Sequence, residues 1–170
     1  AASDVYKRQG KLIQKSLAGR DIGLTLELGG KAANIVYEDA AIDQAVEGVV
    51  NGIFFNQGHV CCAGSRLLLQ ESIHDEFVAK LEKRMQTLRV GNPLDKNTDI
   101  GAINSKEQLD KIEGLVNEGV SDGGKIFQTE CELPGNGFWF KPTLFTDVQP
   151  SYSIAREEIF GPVLTTLTFR

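Results

Sequence analysis

The sequence has no apolar stretch approaching the ~20 residues that a bilayer-crossing helix needs. It also has no basic N-terminal region leading into a hydrophobic run and a small-residue cleavage site, so a soluble, cytoplasmic protein is expected. Dense Lys/Arg runs are absent and the formal net charge is −5. Phosphate backbones are held by clustered positive charge, so nucleic acid is not an expected partner and a small molecule is. Cysteine is scarce, with Cys61, Cys62 and Cys131 making an odd set whose adjacent pair is poorly placed to bridge. Reduced thiols in a cytosol-like compartment fit better than a disulfide framework. With His59 and His74 as the two histidines, soft donors are too few and too far apart for a closed four-ligand zinc site, and no metal is expected. Internal repeats and low-complexity segments are also lacking.

What is present suits one globular domain with a core: 170 residues, 41% hydrophobic and 24% charged. Residues 1–9 show no clear periodicity and read as an extraneous joint. Leu12, Ile13 and Leu17 then suit a short helix over 10–18, feeding a buried strand at Leu24–Leu28 that Gly29-Gly30 stops. Ala33–Tyr37 reads as a second strand, and Asp39 as the N-cap of a helix with Ile42, Val46, Val49, Val50, Ile53 and Phe54 on its apolar face, ending near Asn56-Gln57-Gly58.

Beyond the loop 59–65, Leu67–Leu69 is a strand and His74–Leu88 an amphipathic helix. Residues 91–101 form a loop, and Ser105 caps a helix to about Asn117, with a Glu107–Lys111 pair one turn apart. Strands are expected at Lys125–Gln128, Phe138–Phe140, Leu144–Phe145 and Val163–Phe169, with a turn at 134–137 and one helical turn over Ile154–Glu158. Alternating strands and helices predict an α/β fold with a mostly parallel sheet and helices on both faces.

The chemistry concentrates in 57–66, Gln-Gly-His-Val-Cys-Cys-Ala-Gly-Ser-Arg, which sets a thiol on a small-residue loop after an apolar helix. A nucleophilic cysteine needs access and a lowered pKa, although an isolated cysteine is more often a small buried hydrophobe. His59 could act as its base, but residues two apart on an extended loop point to opposite sides, and a histidine at a pocket rim is the plainer reading. Glu27 lies in an apolar run, where a carboxylate must find partners such as Lys31 or Arg66, or take the raised pKa a general base requires. Gly29 and Gly30 beside it permit close approach by a ligand.

Three blocks, Leu26-Glu27-Leu28-Gly29-Gly30-Lys31, Phe55 through Arg66, and Glu157-Glu158-Ile159-Phe160-Gly161-Pro162, together resemble the signatures of the aldehyde dehydrogenase superfamily. The likeness runs from about Gly10 to the C-terminus and includes Gly91-Asn92-Pro93, Gly101 and Lys141-Pro142-Thr143. It implies Cys61 as nucleophile, with Cys62 a bystander that oxidation could recruit, and Glu27 as the carboxylate that activates water. It implies cofactor contacts with NAD or NADP from Glu158, Phe160, Lys111 and Gly29: Glu158 and Lys111 at the nicotinamide ribose, Phe160 beside the nicotinamide.

The implied reaction is covalent: the Cys61 thiolate adds to a small-molecule aldehyde, hydride passes to the cofactor, and Glu27-activated water hydrolyses the thioester to an acid. One oxyanion donor would be the Cys61 N–H; the other, an asparagine of the family, lies upstream of anything here. By the same likeness, residues 10–28 are the last elements of a Rossmann-like cofactor domain whose glycine-rich turn is missing. Residues 29–170 are a catalytic domain cut short, inactive alone, from a homodimeric or homotetrameric parent. A semialdehyde dehydrogenase that acylates coenzyme A, and a non-catalytic scaffold on the same fold, are the alternatives; Glu27 weighs against the first and Cys61 against the second.

Overall fold

The computed structural model describes residues 2–170, with side chains from Lys7 onward. Its centre is a five-stranded sheet built from β1 (Ala33–Val36), β2 (Arg66–Gln70), β3 (Lys125–Gln128), β4 (Thr143–Thr146) and β5 (Val163–Phe169). The strand order is β1-β2-β5-β4-β3, so the last strand in sequence lies in the middle. β1, β2, β5 and β4 run parallel, and β3 closes one edge antiparallel to β4.

The two-residue period of a strand sorts the sheet's side chains onto two faces. Leu67, Leu69, Leu144 and Leu164 pack with α2 (Ile42–Phe54) and α3 (His74–Met85), while Phe145 and Val163 pack with α4 (Lys106–Ser121) and α5 (Ser153–Arg156). On α2 the buried residues Val46, Val49, Val50, Ile53 and Phe54 follow the helical period. The expected α/β architecture with helices on both faces is therefore the observed one.

Several local expectations are corrected. α1 spans Ala2–Leu17, so one helix runs through the stretch read as aperiodic. Its interior Gly10 is buried with Leu28 and Leu26 close by: a Cβ there would stand 3.1 Å from a Leu28 methyl. Leu24–Leu28 is not a buried strand; it has no sheet partner, and Leu24 and Leu28 are each 39% exposed. A strand is defined by its neighbour's hydrogen bonds, and among the described residues nothing pairs with this segment.

Asp39 does not cap α2, because the Ala40 N–H closes a turn onto the Tyr37 carbonyl and leaves Ala41 at the cap without a side-chain hydrogen bond. Phe138–Phe140 forms no strand; the Phe138 carbonyl accepts from the Ile103 N–H and Trp139 Nε1 donates to the Asn136 carbonyl. Ser105 does cap α4, its hydroxyl accepting from the Gln108 N–H at 3.2 Å, but that helix continues to Ser121. Lys111 does not pair with Glu107: its ammonium donates to the Glu158 carbonyl at 2.8 Å, and the ion pair one turn apart on α4 is Lys106–Asp110.

Candidate active site

Helix α2 leads into a tight 3₁₀ turn over Phe55–Gly58 in which Asn56, Gln57 and Gly58 all adopt positive φ (49°, 48° and 75°). Gly58 is required here: a Cβ would stand 2.2 Å from the Gly161 carbonyl oxygen. The chain then makes a second turn, closed by the Ala63 N–H on the Val60 carbonyl at 3.0 Å, which puts Cys61 and Cys62 at its tip. Both thiols are free and exposed, while Cys131 is half-buried with its sulfur 3.3 Å from the Thr129 hydroxyl.

The base of the cysteine turn is held from three directions. Gly64 N–H donates to the Gly52 carbonyl of α2, and Arg66 N–H to the Ala32 carbonyl. Both the N–H and the hydroxyl of Thr165 on β5 donate to the Ser65 carbonyl, at 3.0 and 3.2 Å. Asn34 on β1 donates its side-chain amide to the Gly64 carbonyl at 3.0 Å, so tightly that a Cβ on Gly64 would lie 2.2 Å from Asn34 Nδ2. Reading the sequence missed Asn34; its one signal was an amide inside a short strand.

The first block comes alongside through the β1–β2 register, which sets Ala33 opposite Arg66. Lys31 thereby reaches the Ser65 hydroxyl at 3.4 Å. Burial, then the charge of Arg66, push the Lys31 amine down to about 7, against the opposing pull of Glu158 and Glu157. Glu27 is exposed on the extended segment before the glycines, so the burial expected to tune it is absent. Glu27 and Cys61 share no hydrogen bond among the described residues; a base acting through a water does not need one.

The third block is clamped from α4. Gln108 Nε2 donates to the Ile159 and Phe160 carbonyls at 2.8 and 3.0 Å, and Lys111 holds the Glu158 carbonyl. These contacts hold Phe160 at φ 57°, a conformation that side-chain-bearing residues seldom adopt. Gln108 was also missed, although Ser105-x-x-Gln108 has the spacing of a capping box. Gly30, Gly58, Ser65, Glu158, Phe160 and Gly161, drawn from all three blocks, line one narrow cleft of about 10 Å³.

That volume is water-sized and too small to enclose a ring. A buried acidic residue, an adjoining aromatic ring and the half-buried backbone of Gly29 suit the ribose and ring end of a dinucleotide. Larger hollows of about 440 and 490 Å³ lie apart from all three blocks; they are shallow surface grooves flanked by Glu71, His74 and Asp147, and by Gln86 and Cys131. Among the described residues no cluster of three His, Cys, Asp or Glu side chains is placed to hold a metal ion, and no helix is long and apolar enough to cross a membrane.

The domain is thus a mostly parallel α/β fold with two exposed thiols on a braced turn and a clamped acid-aromatic segment sharing a cleft with that turn. Residues 7–170 match the aldehyde dehydrogenase family, and the chain belongs to it. It is 48% identical over 148 residues to an aldehyde dehydrogenase of Emericella nidulans, covering 86% of this chain and 30% of that protein. Among solved structures it is similar to the NAD-dependent aldehyde dehydrogenase from Sinorhizobium meliloti (TM-score 0.88, 40% identity, 96% of this chain and 32% of that one). It is also similar to betaine aldehyde dehydrogenase from Staphylococcus aureus in complex with NAD+ (TM-score 0.86, 38% identity, 95% and 33%). The chain thus spans about a third of the length of these relatives.

Proposed function

We propose that the protein of which this chain is part oxidises an aldehyde to a carboxylic acid, using NAD or NADP, with Cys61 as nucleophile and Glu27 as general base. The observation that carries this reading is the meeting of the three blocks: the cysteine turn is braced against the strand after Glu27 and shares a cleft with Glu158 and Phe160. The Cys61 thiolate adds to the carbonyl carbon, and the resulting alkoxide is met by the Cys61 N–H, which no other described backbone group claims. Bound NAD(P)+ supplies the hydride acceptor, with Glu158, Phe160, Lys111 and Gly29 as its contacts. Glu27 takes a proton from the water that opens the Cys61 thioester, and release of the acid restores the thiol.

In this reading residues 10–28 belong to a cofactor-binding unit and 29–170 to the catalytic unit. The chain by itself is inactive, because much of the cofactor site lies in other parts of the protein. Cytoplasmic residence is consistent with the three free thiols, and a dimeric or tetrameric assembly is the expectation carried over from the family. The test is NAD(P)H formation by the full-length protein across a panel of aldehydes, with Cys61→Ala and Cys62→Ala. Turnover abolished by the first and largely kept by the second supports the assignment; equal losses shift the nucleophile, and absence of turnover with either cofactor favours a scaffold.

A further inference from the structure

The side chain of His59 has no part in the reaction outlined above, yet it is built into the site. Its ring stacks on Phe160, with centroids 5.3 Å apart and planes 29° from parallel. Nε2 accepts from the Asn104 backbone N–H at 3.4 Å, which leaves the ring proton on Nδ1, a buried atom without a hydrogen-bond partner. Burial pushes the imidazole below its ordinary range and so favours the neutral ring. The Phe160 backbone is fixed by Gln108 at its carbonyl and by its left-handed φ. The stacked His59 ring adds a restriction on the plane the Phe160 ring can take.

We propose that His59 is a positioning residue that sets the plane of the Phe160 ring and, through it, the seat of the nicotinamide end of the cofactor. The inference rests on the reading of Phe160 as the cofactor's aromatic neighbour. It places a specificity element in the thiol loop itself: the segment that carries the nucleophile also orients the surface across which hydride leaves. The neutral imidazole acts by its flat face, so another flat ring can replace it, whereas a chain that keeps only the hydrogen-bond acceptor cannot.

The experiment uses the full-length protein with His59→Phe, His59→Gln and His59→Ala, and reads NADH binding by fluorescence titration alongside the KM values for NAD(P)+ and for aldehyde. Loss of an aromatic pair predicts that His59→Ala and His59→Gln weaken NADH binding by roughly two- to tenfold, with the aldehyde KM little changed. His59→Phe should stay within about twofold of the parent. Gln at the parent's level, Phe as weak as Ala, or unchanged binding throughout overturns the proposal. NADH binding is independent of turnover, so a protein that oxidises no aldehyde but shows this pattern sinks the proposed activity and keeps the role of His59. A parent that binds no NADH removes both.

Discussion

Lys31 is a cation whose charge the fold disfavours, and its contribution to stability has a definite sign. Its folded-state value of about 7 lies below the ordinary 10.5, so the folded protein binds fewer protons than the unfolded chain between those limits. Stability tied to Lys31 is complete above pH 10.5, falls as pH drops toward 7, and is flat below. Lys31→Met should therefore raise the urea midpoint relative to the parent at pH 7 and lose most of that advantage by pH 10; a pH-independent difference would show that burial does not act on the charge. Gly58→Ala meets both a positive φ and the Gly161 carbonyl. It is expected to cost about 2–4 kcal/mol in urea unfolding. The family blocks that hold Cys61 and Glu27 were legible in the sequence because each is a tight local motif. Asn34 and Gln108 were not, because each acts across a gap, of 30 residues to Gly64 and of more than 50 to Phe160, that no local pattern encodes.

Among the elements, α4 is the one the site leans on most, since Gln108 and Lys111 sit in its first two turns. Ser105→Ala removes the hydroxyl that accepts from Gln108 N–H. It should cost about 1 kcal/mol by thermal unfolding and, in the full-length protein, weaken NADH binding, because fraying frees the two side chains that hold Glu158 and Phe160. A stability loss without a binding change would detach α4 from the site. Strands β1 to β5 and helices α2 to α5 were readable from apolar periodicity, within a residue or a turn at their ends. Leu24–Leu28 was misread because an apolar run reports that a segment is to be buried, not whether a partner is at hand. Phe138–Phe140 was misread for a related reason: an aromatic buries in a loop as readily as in a ladder, and here Phe140 is 8% exposed without strand pairing while Phe138 stays exposed.

For the whole molecule, the fold was legible because helix and strand periods alternate, and the sheet order was not, because pairing across the chain has no local signature. The segment from Ile22 to Leu28 carries exposed apolar side chains, as do Ile35 on edge strand β1 and Tyr37 just beyond it. Limited trypsin digestion of this chain should cut first at the exposed Arg20, ahead of any site in α2 to α5; simultaneous cutting throughout would mean the sheet does not form a stable unit. The central place of β5 has a consequence in time. β2 cannot gain its second neighbour, nor the Ser65 carbonyl its two donors from Thr165, until a segment a hundred residues later has arrived. Contacts so distant in sequence are slow to close, which makes the thiol turn one of the last parts of the domain to take shape. Until β5 has inserted, Cys61 and Cys62 would sit on a turn that lacks its brace from Thr165.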